Sequence, residues 1–157
     1  MVRALIMTNL RIPISFVNVV ITIDRMADFF LNWYSQYLID HCDMVLTKAK
    51  LAFGDTPISV KLPGIYWWYE TNSHAAELTA GYYNSVTRDG YAPIASMLKK
   101  HEAALNLTCV DLATVDEQKD FPEAKVDPEG LLCQVLNAAW DAGIPVAGEN
   151  TLPSSML

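Results

Sequence analysis

Residues 127–150, DPEGLLCQVLNAAWDAGIPVAGEN, hold a helix and a strand back to back and end on a carboxylate. Asp127 is suited to capping a helix, and Pro128 suits its first position, where a missing N–H has no partner to lose. Glu129 follows, favourably placed against the positive end of the helix dipole. Leu131, Leu132, Val135, Leu136, Ala139 and Trp140 recur mostly at helical spacing and form the expected buried face, and Gly143 stops the run. The strand predicted next, Ile144 to Gly148, delivers Glu149 at its C-terminal end.

Working upstream, the same alternation repeats twice. From Asp28 to about Ala52, the residues Phe30, Trp33, Tyr34, Tyr37, Leu38, Val45, Leu46 and Ala49 recur mostly at three- and four-residue spacing, which predicts an amphipathic helix that Gly54 ends. Pro57 introduces a β-branched run, Ile58 to Leu62, read as a buried strand closed by Pro63-Gly64. An aromatic loop runs through Trp67, Trp68 and Tyr69 to Tyr82 and Tyr83. The turn Arg88-Asp89-Gly90 then leads to Pro93, in the first turn of a helix through Ile94, Met97, Leu98 and His101. A second strand, Leu105 to Val110, and a further loop lead to Asp127. Helix and strand alternate three times with roughly forty residues between strand starts, the pattern of a parallel α/β fold. Lys61 falls near the C-terminal end of the first strand, Thr108 and Asp111 near that of the second, and Glu149 just past the third. In a (β/α)8 barrel that end of each strand faces the active site.

Composition narrows the function classes. The 157 residues are 52% hydrophobic with a net charge of −7, as expected of a soluble domain with a sizeable core. Eleven Lys+Arg against eighteen Asp+Glu, with no basic cluster, argue against nucleic acid and membrane as principal partners. Cys42, Cys109 and Cys133 are odd in number and widely spaced, and they read as reduced, buried thiols in an intracellular compartment. Cytoplasm, plastid and vacuole are not distinguished, and the oligomeric state is left open. Residues 1–26 form an apolar leader that Pro13, Asn18 and Thr22 interrupt, too short for a membrane span and without a small-residue cleavage site.

Several segments resemble beta-amylases: Gly64-Ile65-Tyr66-Trp67-Trp68-Tyr69, His74-Ala75-Ala76-Glu77-Leu78-Thr79-Ala80-Gly81-Tyr82-Tyr83-Asn84, Arg88-Asp89-Gly90-Tyr91, Asn106-Leu107-Thr108-Cys109 and Val146-Ala147-Gly148-Glu149-Asn150. The motifs stand in family order at family-like spacing across 27–153, while residues 1–26 and 154–157 carry none of them. The resemblance implies a (β/α)8 barrel that releases maltose from the non-reducing ends of α-1,4-glucans with inversion. It implies further that this chain holds about three consecutive units of an incomplete barrel. The general-acid glutamate, a lid with an essential aspartate and a substrate-binding arginine belong to units outside it.

Carried over residue by residue, the resemblance makes Glu149 the general base that activates water, a role that on sequence alone a solvated loop glutamate would not be given. An inverting enzyme pairs such a base with a protonated carboxyl roughly 6.5 to 9.5 Å away, leaving room for the water. Lys61 resembles the family lysine that bonds sugar oxygens and supports the base electrostatically, against the plain reading of a strand-end lysine in solvent. Trp67 is expected to line the site and Trp68 to pack. Tyr66 stands where the family usually has histidine, retaining a hydrogen-bonding tip at a different reach. Thr108 resembles the threonine of an inner loop that shifts with substrate, against a strand hydroxyl bonded to nearby backbone. Asn150 and Thr151 resemble positions that contact sugar hydroxyls, although alanine is common at the second. Asn106-Leu107-Thr108 is also a glycosylation sequon, but a buried strand is a poor acceptor. His74 and Glu77 make a weak metal signal, outweighed by structural hydrogen bonding; no metal and no cofactor are expected. The expected partner is an α-1,4-glucan or maltose. The alternative is a non-catalytic truncated product or glucan-binding remnant.

Overall fold

The computed structural model describes residues 25–69, 83–86, 88–108 and 110–150, and its elements alternate as the periodicity predicts. They are α1 (Arg25–Phe53), β1 (Ser59–Leu62), α2 (Tyr91–Lys100), β2 (Ala104–Thr108), α3 (Thr114–Asp120), a 3-10 turn (Pro122–Ala124), α4 (Pro128–Ala142) and β3 (Val146–Glu149). The strands form one parallel sheet in the order β1-β2-β3. Residues 1–24, which hold most of the apolar leader, and 151–157 lie outside the described residues, as do 70–82 with His74 and Glu77, and Cys109.

Each connection between strands is long enough to carry a helix back across the sheet, as parallel pairing requires. Among the described residues, α2 and α4 pack on one face of the sheet. Leu105 and Leu107 of β2 are buried there against Leu98, Leu131, Val135 and Ala139, and α2 packs along α4. Asp127 caps α4 as expected: its Oδ1 accepts from the Gly130 N–H at 2.9 Å and from the Thr114 hydroxyl at 2.8 Å. Gly143 ends α4 in the left-handed conformation, at φ 67°, that glycine adopts without strain. Asp89 Oδ1 caps α2 by accepting from Tyr91 N and Ala92 N.

α1 is latched to the rest by polar groups. The Asp43 carboxylate accepts from Lys100 Nζ at 2.8 Å and meets His101 Nε2 at 2.7 Å, and these bonds hold its pKa below the ordinary carboxylate value. The Tyr83 hydroxyl donates to Asp28 at 3.0 Å; burial, and then that bond, push the phenol's pKa up.

The structure corrects five expectations. In α4, Leu131, Val135, Ala138 and Ala139 are buried, whereas Leu136 is exposed and Trp140 is 86% exposed. Leu132 is half-buried against the core, while Leu136 and Trp140, four residues apart, share an exposed side of the helix. On α1, of the expected face only Leu46 is fully buried, while Phe30, Trp33, Tyr37, Leu38 and Val45 are exposed. A helix pattern records which side is apolar, and cover for that side is a separate matter. The segment before Asp127 is more than a loop: α3 escapes a periodicity search because none of its seven residues is buried. Cys133, expected to be buried, is exposed, and Cys42 is half-buried. β2 also ends at Thr108, short of Val110, and β3 starts after Pro145, which has no N–H to give the ladder.

Candidate active site

In a pleated sheet successive side chains alternate between faces, so register decides which polar residues meet. Lys61 is level with Asn106, and Asn106 with Ala147; Thr108 is level with Glu149. Ser59, Lys61, Asn106, Thr108, Ala147 and Glu149 therefore share the face opposite the helices. Lys61 and Glu149 sit on the two outer strands, and their side chains reach over β2 to pair, with Nζ to Oε2 at 2.6 Å. They are 59% and 49% exposed, so solvent screens the attraction and the pair contributes little to stability. Its consequence is geometric: a carboxylate and an ammonium are held side by side at the C-terminal edge of the sheet.

Thr108 is half-buried next to Glu149 in the ladder, and Asn150 is exposed immediately beyond it. Thr151 lies outside the described residues. Tyr66 is only 7% exposed and belongs to the core, while Trp67 is half-buried with its ring edge-on to Tyr66 at 5.3 Å. Trp68, expected to pack, is half-buried and takes the left-handed backbone conformation at φ 53°. That conformation is held from outside the loop. The Trp68 N–H donates to the Ala124 carbonyl at 2.7 Å, and the Asp127 N–H to the Tyr66 carbonyl at 2.8 Å.

The geometry thus brings Lys61, Thr108 and Glu149 to one edge and sets the Tyr66-Trp67 pair in the loop that follows β1. Asn106, noted in the sequence only within a motif and as a sequon, stands on the same face between Lys61 and Ala147. Its Oδ1 is buried with no hydrogen-bond partner among the described residues. The strict alternation in Ala104-Leu105-Asn106-Leu107-Thr108 is the signal that could have found it. Gly148 makes the strand end possible, since a Cβ there would meet Val110 Cγ2 at 2.9 Å. Among the described residues no cluster of three or more His, Cys, Asp or Glu side chains could hold a metal ion, and no helix is long and apolar enough to cross a membrane.

A family model described as Glycosyl hydrolase family 14 matches residues 23–156, somewhat beyond the motif-bearing stretch at both ends. The chain is 70% identical over 125 residues to "Beta-amylase 2, chloroplastic" of Arabidopsis thaliana, covering 80% of this chain and 23% of that protein. It is 53% identical over 130 residues to "Beta-amylase 1, chloroplastic" of Oryza sativa subsp. japonica, covering 81% and 24%. Against "Beta-amylase" of Glycine max it is 49% identical over 133 residues, covering 83% and 26%. The chain spans about a quarter of the length of these relatives.

Proposed function

This chain belongs to glycosyl hydrolase family 14, and we propose on that premise that it carries the general-base side of an inverting α-1,4-glucan hydrolase acting as a beta-amylase. The observation that carries the reading is the 2.6 Å pair between Lys61 and Glu149 across β2. An ammonium beside the carboxylate holds it aimed, as a base that takes a proton from water must be. Thr108 and Asn150 supply hydroxyl and amide partners for sugar oxygens along the same edge, Thr151 is carried from the sequence motif alone as a further partner, and Trp67 offers its ring face to a pyranose. Tyr66 supports Trp67 edge-on, and any contact of its own with sugar is through its hydroxyl.

Inversion demands a second, protonated carboxyl roughly 6.5 to 9.5 Å from the base. In this reading that group comes from a part of the (β/α)8 barrel other than the three units in residues 27–153, so the 157-residue polypeptide by itself releases no maltose. The uncovered apolar stripes of α1 and α4 favour this over a self-sufficient enzyme, and they also suit a non-catalytic remnant. A plastid location is proposed from the relatives named chloroplastic, and detection of the polypeptide only outside isolated plastids would reject it.

One experiment tests the function. Residues 25–150 replace the matching stretch of the Arabidopsis thaliana relative, and β-maltose is followed by NMR. The graft is expected to release it, and Glu149→Gln in the graft to slow release by at least about 10²-fold, the scale of one general acid or base. Undiminished release from the glutamine variant would sink the assignment, and enzyme-like release from the isolated 157-residue chain would sink the need for a second carboxyl.

A further inference from the structure

Arg88-Asp89-Gly90 sits far from Glu149 in the chain, and the hydrolytic reading gives it no task. Around it lies a cluster of polar side chains joined by hydrogen bonds. Gln134, half-buried on α4, uses its whole side-chain amide. Its Oε1 accepts from the Tyr69 hydroxyl at 3.0 Å and from Asn84 Nδ2 at 2.9 Å. Its Nε2 donates to Asn84 Oδ1 at 2.9 Å and to Asp89 Oδ1 at 2.9 Å.

Both amides are locked in orientation. Asn84 Oδ1 also accepts from the Gly90 N–H at 2.8 Å, which fixes which end of Asn84 carries oxygen. The Gln134 nitrogen must then face the Asp89 carboxylate, because an oxygen there would meet a bare acceptor. The turn is closed so tightly that a Cβ on Gly90 would strike the Tyr83 carbonyl. Asp89 in turn caps α2 through Tyr91 N and Ala92 N. A single side chain thereby ties Tyr69, at the start of the aromatic loop, and the turn residues Asn84 and Asp89 to α4, and through Asp89 it reaches the start of α2.

We propose that Gln134 is a positioning residue that fixes Tyr69, and with it the adjoining Tyr66-Trp67 stretch after β1, relative to α4, and through α4 relative to the strand that ends in Glu149. It touches neither sugar nor base. Its effect is to make the spacing between the Tyr66-Trp67 rings and the carboxylate a rigid quantity, as a site assembled from two different β/α units requires. The purpose rests on the hydrolase reading; the clamp itself rests on the hydrogen bonds.

Amide hydrogen exchange on the 157-residue chain, read by NMR, tests it without any sugar. Gln134→Leu keeps the bulk and removes all four bonds. Exchange at Trp68, Gly90 and Tyr91 is expected to speed about tenfold or more, while Ala104 and Leu105, which donate to Ile58 and Pro145 in the sheet, stay within about twofold, as local opening predicts. Gln134→Glu, which sets a carboxylate against Asp89, is expected to loosen the same amides further, and adding Asp89→Asn to recover part of the loss. Unchanged loop amides in Gln134→Leu, or equal loosening of loop and sheet, would overturn the clamp. If the leucine variant does not fold, the glutamate variant with and without Asp89→Asn decides alone, absence of recovery counting against it. The graft's maltose release decides the hydrolase reading separately.

Discussion

The two faces of β2 are one residue apart and differ in almost everything else. Leu105 and Leu107 point into a dry interior built by α2 and α4, and Asn106 and Thr108 point the other way, among Lys61 and Glu149. The helix-facing side is apolar and covered, so it supplies folding energy. The opposite side is polar, with Lys61 and Glu149 exposed at its edge, so it supplies groups that water and sugars can reach. The same division explains why the ion pair, short as it is, is a device of orientation rather than of stability.

The comparison breaks most readily at Leu105, 1% exposed. Leu105→Ala should cost about 2–5 kcal/mol, the range for deleting a buried leucine side chain, as a lower urea midpoint at unchanged slope. A loss well below that would mean the covered face is loosely packed. Asp127→Ala is intermediate. It removes the acceptor for Gly130 N and for the Thr114 hydroxyl, for about 1 kcal/mol in the same urea assay. Asn at that position should recover most of the loss. Lys61→Met, on the open face, should shift stability by less than ~1 kcal/mol. In the grafted enzyme it should still slow β-maltose release about 10²-fold, the scale of losing one preorganised electrostatic partner. If Lys61→Met destabilised as much as Leu105→Ala, the two faces would not divide folding from chemistry as described.

Local signals in the sequence carried most of the fold. The Asp127-Pro128 start and Gly143 stop of α4, the three short strands and the alternation that makes the sheet parallel are all written within a few residues of where they act. α3 is not: in Thr114–Asp120 the one apolar residue, Val115, is exposed, and the helix's bonds, such as Gln118 Nε2 to the Val126 carbonyl, are contacts that no periodicity records. The exposure of the apolar faces of α1 and α4 is not legible in the sequence, because apolar spacing reports what a helix offers and is silent about what meets it. For the site, strand-end position marked Lys61, Thr108 and Glu149 one by one. The reach of Lys61 over β2 to Glu149 depends on sheet order and register, which join residues almost ninety positions apart. Gln134 was legible only as one polar residue on a helix, because its partners at Tyr69, Asn84 and Asp89 come from distant segments.

Gly148 precedes the carboxylate, and the space beside it is already filled by the methyl groups of Val110. Every missense change in a glycine codon adds a β-carbon, whichever amino acid results. Codon 148 therefore has no conservative neighbour: each one-letter error that changes the amino acid sets a β-carbon against the Val110 side chain, and one of the two must give way. At codon 147 the alanine already carries its β-carbon on the open face, and drift there is far less constrained. In a population of such genes, variation should thin out at 148 even where no selection acts on that residue's own chemistry.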